Sequence, residues 1–143
     1  MAAMHRAFAR PVFLLLAATL LVAGCATQGR ERALDQAQYA WSAAIRWGDF
    51  EGAWTLVDPA YREAHPLTDL ERERFKQVQI SAYRDLGATV QGDTARRNIH
   101  VGVVNRHTLR ERQLRHVEQW RWDPVAETWW ITNGLPDLWG GDD

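Results

Sequence analysis

The spacing of apolar residues changes once along this chain, at about Phe75, and this change limits the possible folds. Between Arg30 and Gly48, apolar residues recur at intervals of three and four, which is typical of an amphipathic helix of about four turns. After Phe75 the period becomes two, as in β-strands. We expect four strands, near residues 77–90, 95–105, 109–122 and 129–133. This order predicts an α+β fold, with N-terminal helices packed on a four-stranded antiparallel meander.

Start and stop signals divide the segment that precedes the sheet. Gly48 fits the end of the first helix, because glycine readily adopts the left-handed conformation found there. We expect three further short helices before the sheet, each preceded by a side chain that can accept hydrogen bonds from its first turn. The candidate caps are Asp49, Asp58 (which precedes Pro59), and Thr68 or Asp69. Within the sheet, Gly92-Asp93 predicts a tight hairpin turn.

The first 24 residues have the pattern of a secretory signal peptide. Two basic residues, Arg6 and Arg10, precede an apolar run from Val12 to Ala23, and small residues follow it. The apolar run is shorter than the roughly 20 residues that a membrane-spanning helix needs. We therefore assign residues 1–24 to a cleaved signal peptide, with a membrane-spanning segment as the alternative.

The stretch from Leu21 to Cys25, Leu-Val-Ala-Gly-Cys, resembles the lipobox of bacterial lipoproteins. The resemblance implies a diacylglyceryl group on the Cys25 sulfur, cleavage before Cys25 and acylation of the new amino terminus, with palmitate among the acyl chains. Such a protein contacts the membrane through these chains, and two or more of them anchor it stably. Ala26 stands where the family's inner-membrane retention signal typically has Asp, which favours an outer-membrane anchor facing the periplasm. An ordinary signal peptide with an incidental thiol is the alternative.

The rest of the chain is expected to form one domain. Residues 25–30 are interpreted as the acylated cysteine and a flexible tether, residues 31–138 as the α+β domain, and residues 139–143 as a flexible tail. With Cys25 as the one cysteine, neither an intrachain disulfide nor a thiolate zinc site can form, and no histidine spacing suggests another metal site. We predict no cofactor, because no glycine-rich phosphate loop is present. Removing Arg6 and Arg10 changes the formal net charge from −1 to −3, which argues against nucleic acid as a partner.

Two parts of this domain resemble small lipoproteins of the nuclear-transport-factor-2-like, cystatin-like group. They are Gly48–Trp54 with Asp58-Pro59, and the closing segment Trp129–Pro136. The resemblance spans most of residues 31–138 and implies a curved sheet around a cavity. Many members of the group bind small molecules or partner proteins, and a minority are isomerases or dehydratases. No catalytic residue is carried over, because no catalytic motif matches.

The predicted hairpins place polar side chains among apolar ones on the helix-covered face of the sheet. The expected register pairs Val90 with Ala95, Leu86 with Ile99, Ile99 with His116, Arg97 with Glu118, and Trp122 with Trp129. The inner face then receives four polar residues, Arg84, Arg97, His116 and Glu118. Because buried polar groups must be paired or hydrated, these residues could line a cavity. The competing explanations are a structural ion pair, a solvated rim of the sheet, or a register shifted by one residue.

These residues define the candidate site. The ligand-pocket candidates are Arg84, Arg97, His116, Glu118, Trp120 and Trp122. His116 with Glu118 is the candidate catalytic pair, because a histidine beside a carboxylate can transfer protons near neutral pH. The eight tryptophans indicate either an aromatic platform for a flat ligand or ordinary core. Taken together, the sequence predicts a lipid-anchored, non-enzymatic binding or assembly module that engages a partner protein or a small molecule. An isomerase or dehydratase of the same fold is the alternative.

Overall fold

The computed structural model describes the backbone of residues 9–140 and the side chains of residues 27–140. It divides into two units, residues 1–35 and 36–143. The described part of the first unit is entirely helical and belongs to α1 (Ala9–Trp47). Three short helices and four strands follow in the second unit: α2 (Phe50–Trp54), α3 (Pro59–Ala64), α4 (Asp69–Phe75), β1 (Val78–Gln91), β2 (Thr94–Asn105), β3 (Glu111–Asp123) and β4 (Thr128–Ile131).

The predicted lipidation site, Cys25, and the whole predicted signal peptide, residues 1–24, lie outside the described side chains. Residues 26–29, which we expected to be a flexible tether, continue α1 without a break. Ala26 and Gln28 favour helix and no proline interrupts the segment, so the low helix propensity of Gly29 alone does not end α1 there. Within the described residues, no helix contains an apolar stretch long enough to cross a membrane.

The predicted helix signals are confirmed in the second unit. Gly48 follows α1 with a φ of +72°, a conformation that favours glycine. Asp49 accepts a hydrogen bond from the Gly52 N–H at 2.8 Å. Of the two candidate caps for α4, Thr68 is the one used: its Oγ1 accepts from the Glu71 N–H, while the Glu71 carboxylate accepts from the Thr68 N–H. This reciprocal pair is a capping box, which fixes where α4 begins.

The sheet is an antiparallel meander in the order β1-β2-β3-β4, as the sequence predicted. Four predicted pairings are confirmed: Val90 with Ala95, Ile99 with His116, Arg97 with Glu118, and Trp122 with Trp129. The hairpin turns and the alternation of apolar residues were sufficient to define the register of β2, β3 and β4.

The predicted pairing of Leu86 with Ile99 is wrong, because β1 contains two irregularities. The register shifts once between Ile80 and Ala82 and again between Asp85 and Gly87, so Ile99 is opposite Asp85. Each extra residue reverses which face the following side chains occupy. Between the two shifts, Tyr83 therefore faces the core and is 4% exposed.

The inner face of the sheet is covered by the Gln36–Trp47 part of α1. Trp41 and Ile45 on this segment are fully buried, and the indole of Trp41 meets that of Trp120 edge to face at 6.2 Å. The chain between α2 and α3 lies along the β4 edge of the sheet, where Val57 forms a parallel bridge with Ile131. The packed region extends past the predicted boundary at residue 138, since the ring of Trp139 lies 5.1 Å from that of Phe75.

Candidate functional site

Glu118 lies at the centre of the inner face and is fully buried. Its Oε1 accepts hydrogen bonds from the Tyr83 hydroxyl and from Arg97 Nη2 (2.9 Å). Its Oε2 accepts from Arg97 Nε (2.8 Å) and from Trp120 Nε1 (3.0 Å). A carboxylate has about four lone-pair positions. Four donors therefore fill the accepting capacity of Glu118.

Three elements bring these groups together. Arg97 and Glu118 are cross-strand partners on β2 and β3. Helix α1 closes the site from above: Trp41 Nε1 donates to the Tyr83 oxygen at 3.0 Å, and Ser42 Oγ accepts from Arg97 Nη2 at 2.9 Å. We call the set formed by Trp41, Tyr83, Arg97, Glu118 and Trp120 the Glu118 cluster. It ties the helix to the sheet by polar contacts within an otherwise apolar interface.

Burial and charge change the titration of two members of this cluster. Burial raises the pKa of the Tyr83 hydroxyl, and the nearby Glu118 carboxylate raises it further. The hydroxyl therefore stays protonated and donates a hydrogen bond to Glu118. Burial alone would lower the pKa of Arg97, but its hydrogen bonds and attraction to Glu118 outweigh that effect and raise the pKa. Arg97 therefore stays positively charged beside this carboxylate.

His116 lies beside this cluster but does not join it. Its Nε2 atom is buried and has no hydrogen-bond partner in the described part of the chain. Burial lowers the pKa of His116, an effect that the Glu118 charge opposes without reversing it. The charge of Glu118 thus reaches His116, but no hydrogen bond joins the predicted catalytic pair within residues 27–140. Glu118 accepts from Tyr83, Arg97 and Trp120 instead.

The other predicted pocket residues are dispersed. Arg97, Glu118 and Trp120 meet in the Glu118 cluster. Arg84 does not: it is exposed, because the irregularities of β1 turn it away from the core. Trp122 is half-buried at the far end of β3, where its ring lies 5.7 Å from that of Trp129. The predicted pairing of Trp122 with Trp129 thus lies at the edge of the core. Trp122 does not share a cavity with Glu118.

A second concave site was not predicted from the sequence. A cavity of about 300 Å³ lies between the short helices and the segment that follows β4. Its aromatic lining residues are Trp54, Tyr61, His65, Phe75 and Trp139. We call this cavity the aromatic pocket. Its residues come from four separate stretches of sequence with no shared periodicity, so only the count of aromatic residues pointed towards it.

A larger cavity, of about 500 Å³, adjoins the aromatic pocket. Leu67 and Phe75 line both cavities and so form the wall between them. The floor of the larger cavity is apolar, whereas Arg72 at its edge is paired with Glu51 (2.6 Å) and Asp69 (3.1 Å). Residues 27–140 contain no group of three His, Cys, Asp or Glu side chains arranged to hold a metal ion.

The basic stretch from Arg106 to His116 contributes to structure at two points. Arg106 donates to the Val78 carbonyl at 3.0 Å, and Arg112 donates to the carbonyls of Leu138 (2.7 Å) and Trp139 (3.2 Å). Arg112 therefore holds the segment after β4 against β3. This segment forms one wall of the aromatic pocket.

No protein-family model matches the sequence, and no curated protein matches it. Among solved structures, the chain is similar to a SEC-C motif containing protein from Rhodopseudomonas palustris, with 19% identity, a TM-score of 0.53, and coverage of 65% of this chain and 70% of that one. It is also similar to a proposed dehydratase of the NTF2-like family from Streptomyces avermitilis, with 16% identity, a TM-score of 0.43, and coverage of 71% and 90%. The first likeness shows a shared fold, and the second has too low a score to support an inference.

Proposed function

We propose that this protein is an envelope lipoprotein, anchored through acyl chains on Cys25, whose folded domain is a non-enzymatic binding or assembly module. The Leu21–Cys25 stretch supports the anchor, since the small residues and the thiol stand where the basic and apolar segments predict cleavage. The Ala at position 26 supports placement in the outer membrane, facing the periplasm.

The observation that carries the non-enzymatic part is the saturation of Glu118. Its two oxygens accept four hydrogen bonds, and its side chain is 0% exposed. A general acid or base must be within hydrogen-bond reach of the proton that it moves. Glu118 has no free position for a substrate, so its role is to hold Tyr83 and Arg97 where they contact α1, and a ligand must bind at another surface.

The anchor can be tested by metabolic labelling of the full chain with radioactive palmitate in a bacterial host. We expect label in the wild-type protein and none in Cys25→Ser, which should also be unprocessed or leave the membrane fraction. Ser42→Ala is the matched control and should remain labelled, because it removes a hydroxyl from the folded domain. Unlabelled wild-type protein, or Cys25→Ser that still carries label, would contradict the anchor.

The choice of membrane can be tested with one further variant. Ala26→Asp introduces the residue that typically retains such lipoproteins in the inner membrane, so we expect the protein to move from the outer to the inner membrane fraction on a sucrose gradient. Ala26→Ser keeps the side chain small and neutral and should fractionate with the wild type. Inner-membrane location of the wild type would contradict the placement.

A second candidate, an isomerase or dehydratase of the same fold, rests on the unpartnered Nε2 of His116. If this imidazole served as a base, it would have to be reachable from solvent. Diethylpyrocarbonate modification, followed by peptide mass spectrometry, measures this access. We expect His116 to react far more slowly than His107, which is exposed in a turn. Equal reaction rates would favour the enzyme.

A further inference from the structure

The aromatic pocket is walled by rings held in fixed positions. Trp54 and Tyr61 meet edge to face at 6.3 Å, and Tyr61 stacks on His65 at 4.4 Å. On the opposite wall, Phe75 and Trp139 are 5.1 Å apart. Aromatic contacts of this kind favour defined ring geometries. The pocket therefore offers preformed aromatic faces.

Gly134 sets the position of Tyr61. A Cβ atom at Gly134 would lie 2.7 Å from the Tyr61 hydroxyl oxygen, and the φ of Gly134 is +74°. Only glycine fits both the conformation and the space without strain. The chain after β4 is thus brought close against Tyr61, and this close approach forms one side of the pocket.

The same pocket carries charged side chains with unused hydrogen-bonding capacity. Glu71 accepts from Thr68 through Oε2, and Asp137 accepts the N–H groups of Trp139 and Gly140 through Oδ1. In each carboxylate the other oxygen has no hydrogen bond within residues 27–140. Arg74 lies 4.3 Å above the ring of Trp139 and adds donors beside these acceptors.

We propose that the aromatic pocket binds a saccharide. A sugar ring presents apolar C–H groups on its faces, which pack on aromatic rings, and hydroxyl groups at its edge, which both donate and accept hydrogen bonds. The free oxygens of Glu71 and Asp137 can accept from hydroxyls, and Arg74 can donate to them. The aromatic rings can thus pack on the faces of the sugar, while the charged groups bind the hydroxyls at its edge.

Other ligand classes fit this lining less well. A purely apolar ligand would remove Glu71 and Asp137 from water without replacing their hydrogen bonds. An anion would meet two carboxylates. An organic cation would be attracted by the rings, but the guanidinium of Arg74, which covers one face of the Trp139 ring, would repel it.

The size of the cavity limits the ligand. About 300 Å³ is at the small end of ligand pockets, so one or two sugar rings fill it. A longer chain could continue over Leu67 and Phe75 into the adjoining cavity of about 500 Å³. This inference names a ligand for the binding module proposed above, but it does not depend on the lipid anchor.

The test is a fluorescence titration of the full chain, purified from whichever cell fraction holds it, with N-acetylchitotriose, maltotriose and cellotriose. Trp54 and Trp139 line the pocket, so a bound sugar should change the tryptophan emission in a saturable way. We expect at least one of these sugars to bind. No saturable change with any of the three would overturn the proposal, and so would choline binding at this pocket in the absence of sugar binding.

Variants locate the site. Trp139→Ala should weaken binding about tenfold or more, because it removes a stacking surface and the support of Arg74. Asp137→Asn keeps an oxygen for the Trp139 and Gly140 N–H groups, so the fold is preserved while the charged acceptor is lost, and we expect a loss of about threefold to tenfold. Tyr39→Ala is the matched control: Tyr39 is 78% exposed on α1 and lines neither of the two cavities, so trisaccharide affinity should change less than about twofold.

The outcomes separate the two proposals. Sugar binding that survives Asp137→Asn unchanged would place the ligand elsewhere and overturn the saccharide site, whatever the palmitate labelling shows. Conversely, protein that carries no palmitate label but binds a trisaccharide through Trp139 would refute the anchor and leave the saccharide site intact.

Discussion

Tyr83 and Tyr61 both lie beside a tryptophan, yet their hydroxyl groups are in opposite situations. The Tyr83 hydroxyl accepts from Trp41 and donates to Glu118, inside an interface from which water is excluded. The Tyr61 hydroxyl lines an open cavity and makes no hydrogen bond to the rest of residues 27–140. The Glu118 cluster thus uses its polar groups to hold the fold, whereas the aromatic pocket leaves its own available. Polar groups with unused capacity, more than buried charges, indicate where a ligand can bind.

The largest expected effect comes from breaking the Glu118 cluster. Glu118→Ala leaves the Arg97 guanidinium buried without its counter-ion, and we expect the free energy of unfolding to fall by about 3–5 kcal/mol. Urea denaturation measures this loss. The double variant Arg97→Met with Glu118→Leu removes both charges and should recover part of it, since Tyr83 and Trp120 still lose their acceptor. A loss below about 1 kcal/mol for Glu118→Ala would mean that water reaches the cluster, and that the contrast between the two regions is wrong.

The same substitution in both regions gives the most direct comparison. Tyr83→Phe removes a donor from Glu118 and an acceptor from Trp41, so we expect a loss of about 1–3 kcal/mol. Tyr61→Phe removes a hydroxyl with no protein partner and should change the stability by less than about 0.5 kcal/mol. Denaturant midpoints at pH 7 measure both. Equal effects would contradict the distinction between a saturated and an open region.

The sequence predicted the Glu118 cluster in part, and the reason is geometric. Alternation and turn chemistry placed Arg97, Glu118 and Trp120 on one face, because these depend only on the register of β2 and β3. Tyr83 was missed and Arg84 wrongly included, since the irregularities of β1 have no strong local signal apart from Gly87, whose φ is +133°. In strands, a glycine away from the turn is the signal that could have indicated such a change.

The aromatic pocket could not be predicted in this way. Tyr61 and Gly134 are adjacent only because Val57 bridges to Ile131 and brings α3 beside the segment after β4. This contact depends on tertiary packing between parts of the chain about seventy residues apart, for which neither alternation nor helix caps carry information. The sequence indicated only that more aromatic side chains were present than one cross-strand pairing could use.

Asp58 joins α3 to β3, the strand that carries Glu118, and we expect its effect on stability to be intermediate. It caps α3, which carries Tyr61, and pairs with Arg121 on β3 at 2.6 Å. Burial alone would raise the pKa of Asp58, but the hydrogen bonds from Arg121 and the Ala60 N–H lower it below the ordinary 3.8. The stability that this carboxylate contributes is therefore present above about pH 4 and lost as the pH falls through its lower folded-state pKa.

The matched variant is Asp58→Asn, which keeps the cap but removes the charge. Because Arg121 is partly exposed, we expect a loss of about 1 kcal/mol at pH 7 that disappears towards pH 2. Urea denaturation at both pH values measures the difference. A loss that stays constant between them would mean that the charge of Asp58 is not responsible.

The smallest effect is expected at His116, two residues from Glu118 on the same strand. Burial lowers the pKa of His116 below 6.5, and the nearby Glu118 charge only partly offsets this. The unfolded chain therefore binds a proton more readily than the folded one, so stability should fall as the pH decreases from about 6.5 to the lower folded-state pKa.

His116→Gln should remove this part of the pH dependence, while His107→Gln, at an exposed position, should leave it unchanged. Denaturation between pH 7.5 and 5 measures the slopes. If His116→Gln keeps the wild-type slope, the imidazole accepts its proton as easily when folded, and the inner face is open to water at this point.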